Sequence, residues 1–242
     1  MIAIIVMLIS LLLPALGGAR DAARAVACMS NQRQILTALG QYENANKDMV
    51  PREGTVDNLG LPELRRDYLS WAVALRPFVD ERATASSDID DLFEWAPYYR
   101  DPARRPDGHK IHFMANAMPF LSPGIVDEEA VLTYRFRRGP TPMQRLHFPE
   151  QTAYLGEYTD DPNGEAAARV DALAPRDLER AQYYDVWAKD HILPGPLQRI
   201  TARRHGDGGN VGFLDGHVRA APSRELVELS LWDDRDYGQR YG

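Results

Sequence analysis

Apolar and polar positions start out fully separated along this chain. Met1 to Leu16 read MIAIIVMLISLLLPAL, with no charge and Ser10 as the only polar side chain. From Gly17 onward the sequence turns polar, and Ala19, Ala22, Ala23, Val26, Ala27, Ile35, Leu36, Leu39 and Tyr42 recur at helical spacing. No proline falls between Pro14 and Pro51. The pattern predicts one long helix ending near Asn44–Asn46, because Pro51 and the residue before it favour extended backbone. Pro14 removes one main-chain hydrogen bond and is expected to kink the helix, with Gly17-Gly18 loosening the same turn.

Further along, the periods shorten. Ser70–Val79 reads as a short helix broken at Pro77, with Trp71, Leu75 and Phe78 in the core. Ile111–Asn116, Val131–Phe136 and Thr152–Glu157 have strand character. Thr84–Asp91 is polar and reads as a surface loop, and segments 159–181 and 189–199 read as an insertion over the sheet. Asp215-Gly216, flanked by apolar stretches, predicts a two-residue hairpin of type I′, in which both central residues need positive φ. Val211, Phe213 and Val218 then face the sheet, with Gly206–Gly209 as a flexible approach loop. The expected fold class is α+β, a long N-terminal helix packed on an antiparallel sheet. Its organisation is a helix over 1–46 and a head over 47–242 that contains the hairpin region 203–220.

Composition narrows the choices. At 242 residues the chain holds one good-sized domain and an appendage. Its mean hydropathy of −0.42 and 26% charged residues make the apolar head an outlier on a polar body. A net charge of −7 argues against nonspecific nucleic-acid binding, which needs clustered cations to displace counterions. Arg137-Arg138 and Arg203-Arg204 are short and read as solvated surface. Cys28 is the single cysteine, so no intramolecular disulfide forms. The apolar run reaches about 24 Å as a helix, short of the ~30 Å hydrocarbon core. A secretory signal would carry a basic n-region, and none precedes Ile2. Ala25-Val26-Ala27-Cys28 is no lipoprotein box, since Arg20, Asp21 and Arg24 separate it from the apolar run. A core helix of a soluble domain would keep a polar face. The anchor reading is preferred over cleaved signal and core helix.

Candidate chemistry concentrates near the C-terminus. His205, Asp207, Asp215 and His217 lie close in sequence, and Asp207, Asn210 and Asp215 offer the hard oxygens that calcium takes. The preferred reading is structural: Asp215 makes the turn, and His205 ties the loop to the hairpin by a hydrogen bond. His109 and His112 are three apart but lack a third ligand and a general base. No nucleophile elbow, phosphate loop or dinucleotide fingerprint occurs. Cys28, beside Arg24 and Arg33, is poorly placed as a nucleophile. Neither an enzyme nor a cofactor is expected.

The stretch IAIIVMLISLLLPALGGARDAARAVACMSNQRQILTALGQYENANKD resembles the N-terminal helix of bacterial type IV pilin-like proteins and type II secretion pseudopilins. It is most similar to their prepilin-type branch. Pro14 matches the helix-kinking proline of that branch, and Cys28, Ser30, Asn31, Arg33 and Gln34 match its polar signature. His205, followed after nine residues by Asp215-Gly216, matches the motif of its C-terminal region. Asp101 stands where relatives often carry a cysteine, which implies that a disulfide common in the branch is missing here. The prepilin leader, its Gly-Phe cleavage point and the following glutamate are absent from the sequence. On that alignment Met1 falls inside the mature family helix, as a start codon assigned too far downstream would produce.

The resemblance implies a structural subunit of a type IV pilus-like or type II secretion filament. Such a subunit sits in the inner membrane as a single-pass protein with an extracytoplasmic head, and assembles into a cell-surface or periplasmic filament. Its implied partners are further copies, other pilin-like subunits, a prepilin peptidase and the assembly machinery. The alternative is a membrane-tethered or secreted module that binds calcium or glycan through residues 203–219.

Overall fold

A computed structural model describes residues 2–51, 71–80, 93, 95–104, 109–118, 141–159, 184–186 and 189–234. Helix α1 spans Ile2–Ala45 and runs unbroken through Pro14, Gly17 and Gly18. It ends where the apolar spacing predicted, but a local turn stops it. Lys47 and Asp48 both take φ of 58°, and the Asp48 N–H returns to the Glu43 carbonyl at 2.9 Å. A left-handed turn of this kind satisfies carbonyls that the last helical turn leaves open.

Short strand β1 (Met49–Val50) follows, then α2 (Trp71–Val79). Pro77 lies inside α2 and does not break it: the helix continues to Val79, and the Asp80 N–H still reaches the Arg76 carbonyl. Anchoring by buried Trp71 and Leu75 outweighs the single bond that Pro77 forgoes. Trp71 Nε1 donates to the Tyr184 carbonyl at 2.7 Å, and Phe78 packs edge-on to Tyr42 of α1.

The main sheet contains β2 (Phe113–Asn116), β4 (Ala153–Glu157), β5 (Asp185–Val186), β6 (Gly208–Phe213) and β7 (Val218–Pro222), in the order β5-β2-β4-β6-β7. Strand β3 (Thr141–Pro142) pairs with β1 in a separate two-stranded ribbon. Pairing in the main sheet is antiparallel except at the edge, where two-residue β5 runs parallel to β2. The fold class is α+β, a long helix on a mainly antiparallel sheet. Expected strand Val131–Phe136, the surface loop Thr84–Asp91, residues 160–181 of the first insertion and Arg137-Arg138 lie outside the described residues. Segment 189–199 does more than cover the sheet. The Thr159 N–H donates to the Arg199 carbonyl, and the Arg199 guanidinium bridges to Asp185 of β5 at 2.8 Å.

Strands β4 and β6 are buried on both faces. One face carries Leu155, Glu157, Asn210 and Gly212 and packs on the second half of α1, through Cys28, Gln32 and Leu36. The other face packs on two C-terminal turns, α3 (Ser223–Leu226) and α4 (Leu229–Trp232). Gly156 lies under the Trp232 ring, and Gly209 lies under Leu226. Ile35, Leu36 and Leu39 of α1 therefore share one core with Phe113, Leu155 and Phe213.

The predicted hairpin exists, with a different turn. The Gly216 N–H bonds the Phe213 carbonyl at 3.0 Å, and the Phe213 N–H bonds the His217 carbonyl at 2.9 Å. Only Gly216 takes positive φ, at 93°, while Asp215 does not. This is the three-residue connection, a type I turn closed by a left-handed glycine bulge, in place of type I′. Gly208 and Gly209 belong to β6 itself, so the expected flexible loop shrinks to a tight turn in which the His205 N–H bonds the Gly208 carbonyl.

Candidate functional site

Two features stand out. The first is the exposed half of α1. Every described side chain from Ile4 to Ala23 is exposed, and the large apolar ones at Ile4, Leu8, Leu12 and Leu16 are each more than half accessible. Ser10, the one hydroxyl in the run, donates to the Met7 carbonyl at 2.8 Å and so needs no solvent partner. The helix is long and apolar enough to cross a membrane by length and composition. Its polar second half begins to bury at Arg24, and Cys28, Gln32, Ile35, Leu36 and Leu39 form the buried stripe. Helical spacing places these on one side, over β4 and β6.

The second feature is a buried polar cluster where α1 meets the sheet. Cys28 of α1, Asp101 in the loop after the 3-10 turn Pro97–Tyr99, Glu157 at the end of β4 and His205 just before β6 converge. One ligand-type atom from each lies within 4.8 Å of the others. Among the described residues this is the one such group. The Cys28 thiol donates to Glu157 Oε1 at 3.1 Å, and the Asn210 N–H donates to the same oxygen at 3.2 Å. His205 Nε2 lies 2.9 Å from that oxygen too.

Asp101 is fixed from three sides. Its Oδ1 accepts the Ala103 N–H, its own N–H donates to His112 Nδ1, and its Oδ2 faces Arg204 Nε at 3.1 Å. Arg204 is thus a buried ion-pair partner, with its side chain 4% exposed, and the expectation of solvated surface for Arg203-Arg204 holds for Arg203 alone. A guanidinium enters the interior because a carboxylate and the Tyr158 carbonyl, 2.7 Å from Arg204 Nη2, compensate its lost hydration.

Electrostatics follow from burial. Loss of water pushes the Glu157 carboxyl above its usual value, more than His205 pulls it down. Burial works against protonated His205, but the Glu157 carboxylate beside it, with Asp101 behind, wins and holds the imidazole above its ordinary value. Burial, and then the charge of Glu157, push the Cys28 thiol far up, so on its own it stays protonated.

The residues singled out in sequence fare unevenly. His205 Nε2 lies against Glu157 of β4, away from the hairpin turn. Asp215 accepts the His217 N–H and lies 2.6 Å from His217 Nδ1, closing the turn, while the His217 ring stacks on Phe213 at 4.1 Å. The calcium candidates do not converge. Asp207 is exposed beside Arg203 and Ser223, Asn210 turns inward to donate to the Ala25 carbonyl, and Asp215 sits at the far end of β6, about 20 Å from Asp207 at strand rise. His112 Nε2 bonds the His109 carbonyl, and His109 Nδ1 bonds the Tyr184 hydroxyl, so the two histidines serve the core. Sequence reading did not single out Glu157, and gave Cys28 and Asp101 no joint role. The available signal was the replacement of a family cysteine by Asp101, which the structure places beside Cys28.

The fold and these features define an α+β protein whose N-terminal helix leaves a membrane-grade surface outside the core. The chain belongs to the family described as "Protein of unknown function (DUF1559)", whose model matches residues 18–169. The match covers α1 from Gly18 onward and the sheet through β4, including Cys28, Asp101 and Glu157. No curated protein and no solved structure matches the chain significantly.

Proposed function

We propose that this chain is a pilin-like or pseudopilin-like structural subunit of a type IV pilus-like or type II secretion filament, anchored in the inner membrane before assembly. One observation carries the reading. A single 44-residue helix has an apolar N-terminal half whose described side chains are exposed and a C-terminal half built into the core of the head. An apolar surface of that kind is unstable in water and calls for lipid or for copies of itself. At about 1.5 Å per residue the helix is roughly 65 Å long, enough to hold the head clear of a bilayer. Small residues Ala19, Ala22 and Ala23 allow close helix approach once the lipid contact is exchanged for a bundle. The work is assembly, with no bond-making step. A prepilin peptidase and the assembly machinery are the proposed partners, with further copies and other pilin-like subunits. The calcium-binding alternative lacks comparable support, because its three ligand candidates point to different places.

The test is membrane extraction combined with cross-linking of the full chain in a bacterial host. The chain is expected to resist alkaline extraction. An Ala19→Cys variant is expected to form disulfide-linked oligomers, while the native chain, with Cys28 buried, forms none. A chain that is monomeric and soluble without detergent would refute the proposal.

A further inference from the structure

We propose that Cys28, Asp101, Glu157 and His205 form a binding site for one divalent ion of the zinc class. The inference is independent of the filament reading. The donor set is one sulfur, one imidazole nitrogen and two carboxylates, drawn from four separate segments. Zinc takes such mixtures in tetrahedral geometry, with bonds that set donors about 3.3–3.8 Å apart. Here Glu157 Oε1 is 3.1 Å from Cys28 Sγ and 2.9 Å from His205 Nε2, and no pair of the four exceeds 4.8 Å. A pair at the 4.8 Å limit would need to close by about 1–1.5 Å to reach that spacing, a movement shared between two side chains.

Two further observations point to a ligand. Glu157 is 1% exposed, yet its Oε2 has no hydrogen-bond partner among the described residues. His205 Nε2, although close to Oε1, meets it without the geometry of a directed hydrogen bond. Buried polar atoms in native folds are almost always satisfied, and a pair left this way at the centre of four donor groups fits a missing cation. Gly209 also matters, since a Cβ there would stand 2.7 Å from Oε2. Charge balances as well. A thiolate and two carboxylates against a dication leave one negative charge, and Arg204 beside Asp101 offsets it. The ion would join Cys28 of α1 to Glu157 of β4, with the His205 side chain, 9% exposed, at the outer edge of the cluster.

The experiment uses the full chain in detergent, stripped of metal and titrated with zinc against a chromophoric chelator, then with cobalt. One equivalent per chain is expected, with a near-ultraviolet sulfur-to-cobalt charge-transfer band that Cys28→Ser abolishes. Removing an imidazole ligand should cost at least the roughly tenfold typical of a lost supporting contact, so His205→Gln is expected to weaken zinc by that factor or more. Asp207→Asn, on the exposed loop, is expected to leave binding unchanged. Cobalt saturation without a thiolate band overturns the proposal. So does equal zinc affinity in native and His205→Gln chains. Should Cys28→Ser fail to fold, Glu157→Gln replaces it, with the same loss of affinity expected and unchanged affinity refuting.

Discussion

Gly156 sits at the middle of the sheet with no room for a side chain, and Gly156→Ala measures how firmly the C-terminal turns are held. A Cβ at this position would lie 2.6 Å from Trp232 Cη2 and 3.3 Å from Cζ2. Ordinary contact needs the ring to retreat by about 1 Å, and the ring is not free to do so. Trp232 is fully buried, its Nε1 donates to the Leu226 carbonyl at 2.9 Å, and its own carbonyl accepts Asn116 Nδ2. Overpacking of this kind costs about 1–3 kcal/mol. Alanine returns about 0.4–1 kcal/mol by restricting the unfolded chain. The net expectation is a loss of roughly 1–2 kcal/mol, with about 3–5 kcal/mol as the ceiling should the indole be expelled. Urea unfolding followed by tryptophan fluorescence would read this as a lower midpoint at unchanged slope. In a Trp232→Leu background, where the clashing ring is gone, Gly156→Ala should cost much less. A change within about 0.5 kcal/mol of the native chain, or additive effects in the double mutant, would refute the packing argument.

In the metal-free chain, stability should fall as pH rises through neutrality. His205 holds its proton more tightly in the fold, so the native state binds more protons than the unfolded chain in that range. Glu157, also raised by burial, slopes the same way from its own lower starting value upward. Asp101 on the loop after Pro97–Tyr99 favours the proton, Arg204 opposes it, and the Cys28 thiol on α1 stays neutral. The His205 contribution is complete below its unfolded value near 6.5 and is lost as pH passes its higher folded value. His205→Gln should flatten a plot of Tm against pH, and parallel curves would disprove the assignment. Glu43, pushed up to about 7 by burial and then by Asp48, slopes the same way, so the variant keeps a residual slope. At the hairpin tip, Gly216 has φ of 93° and open space around it. Gly216→Val is therefore expected to cost about 1–2 kcal/mol through backbone strain alone, measurable by urea midpoint, with a neutral result refuting the turn assignment.

Much of this architecture is legible in local pattern. The uncharged run from Ile2 to Leu16 and the apolar spacing from Ala19 to Tyr42 specify α1 and its end, because helical periodicity and desolvation act within a few residues. Strands Phe113–Asn116 and Ala153–Glu157 and the hairpin at Asp215-Gly216 are likewise readable from β-prone residues and turn formers. Where a local rule misled, a longer-range term won: burial of Trp71 and Leu75 carried α2 through Pro77, and the glycine bulge set the hairpin turn one residue longer. The cluster of Cys28, Asp101, Glu157 and His205 belongs to tertiary structure alone. Its members come from positions up to 177 residues apart, as 28 and 205 show, and apart from Asp101 at a position where relatives often carry a cysteine, local pattern gives no sign of it. The sequence by itself determined that one helix must be half membrane-grade and half amphipathic, since that follows from side-chain polarity along a 3.6-residue repeat. Packing that amphipathic half over β4 and β6 decided which polar side chains would lose water together, because burial depends on what tertiary contacts bring against each face.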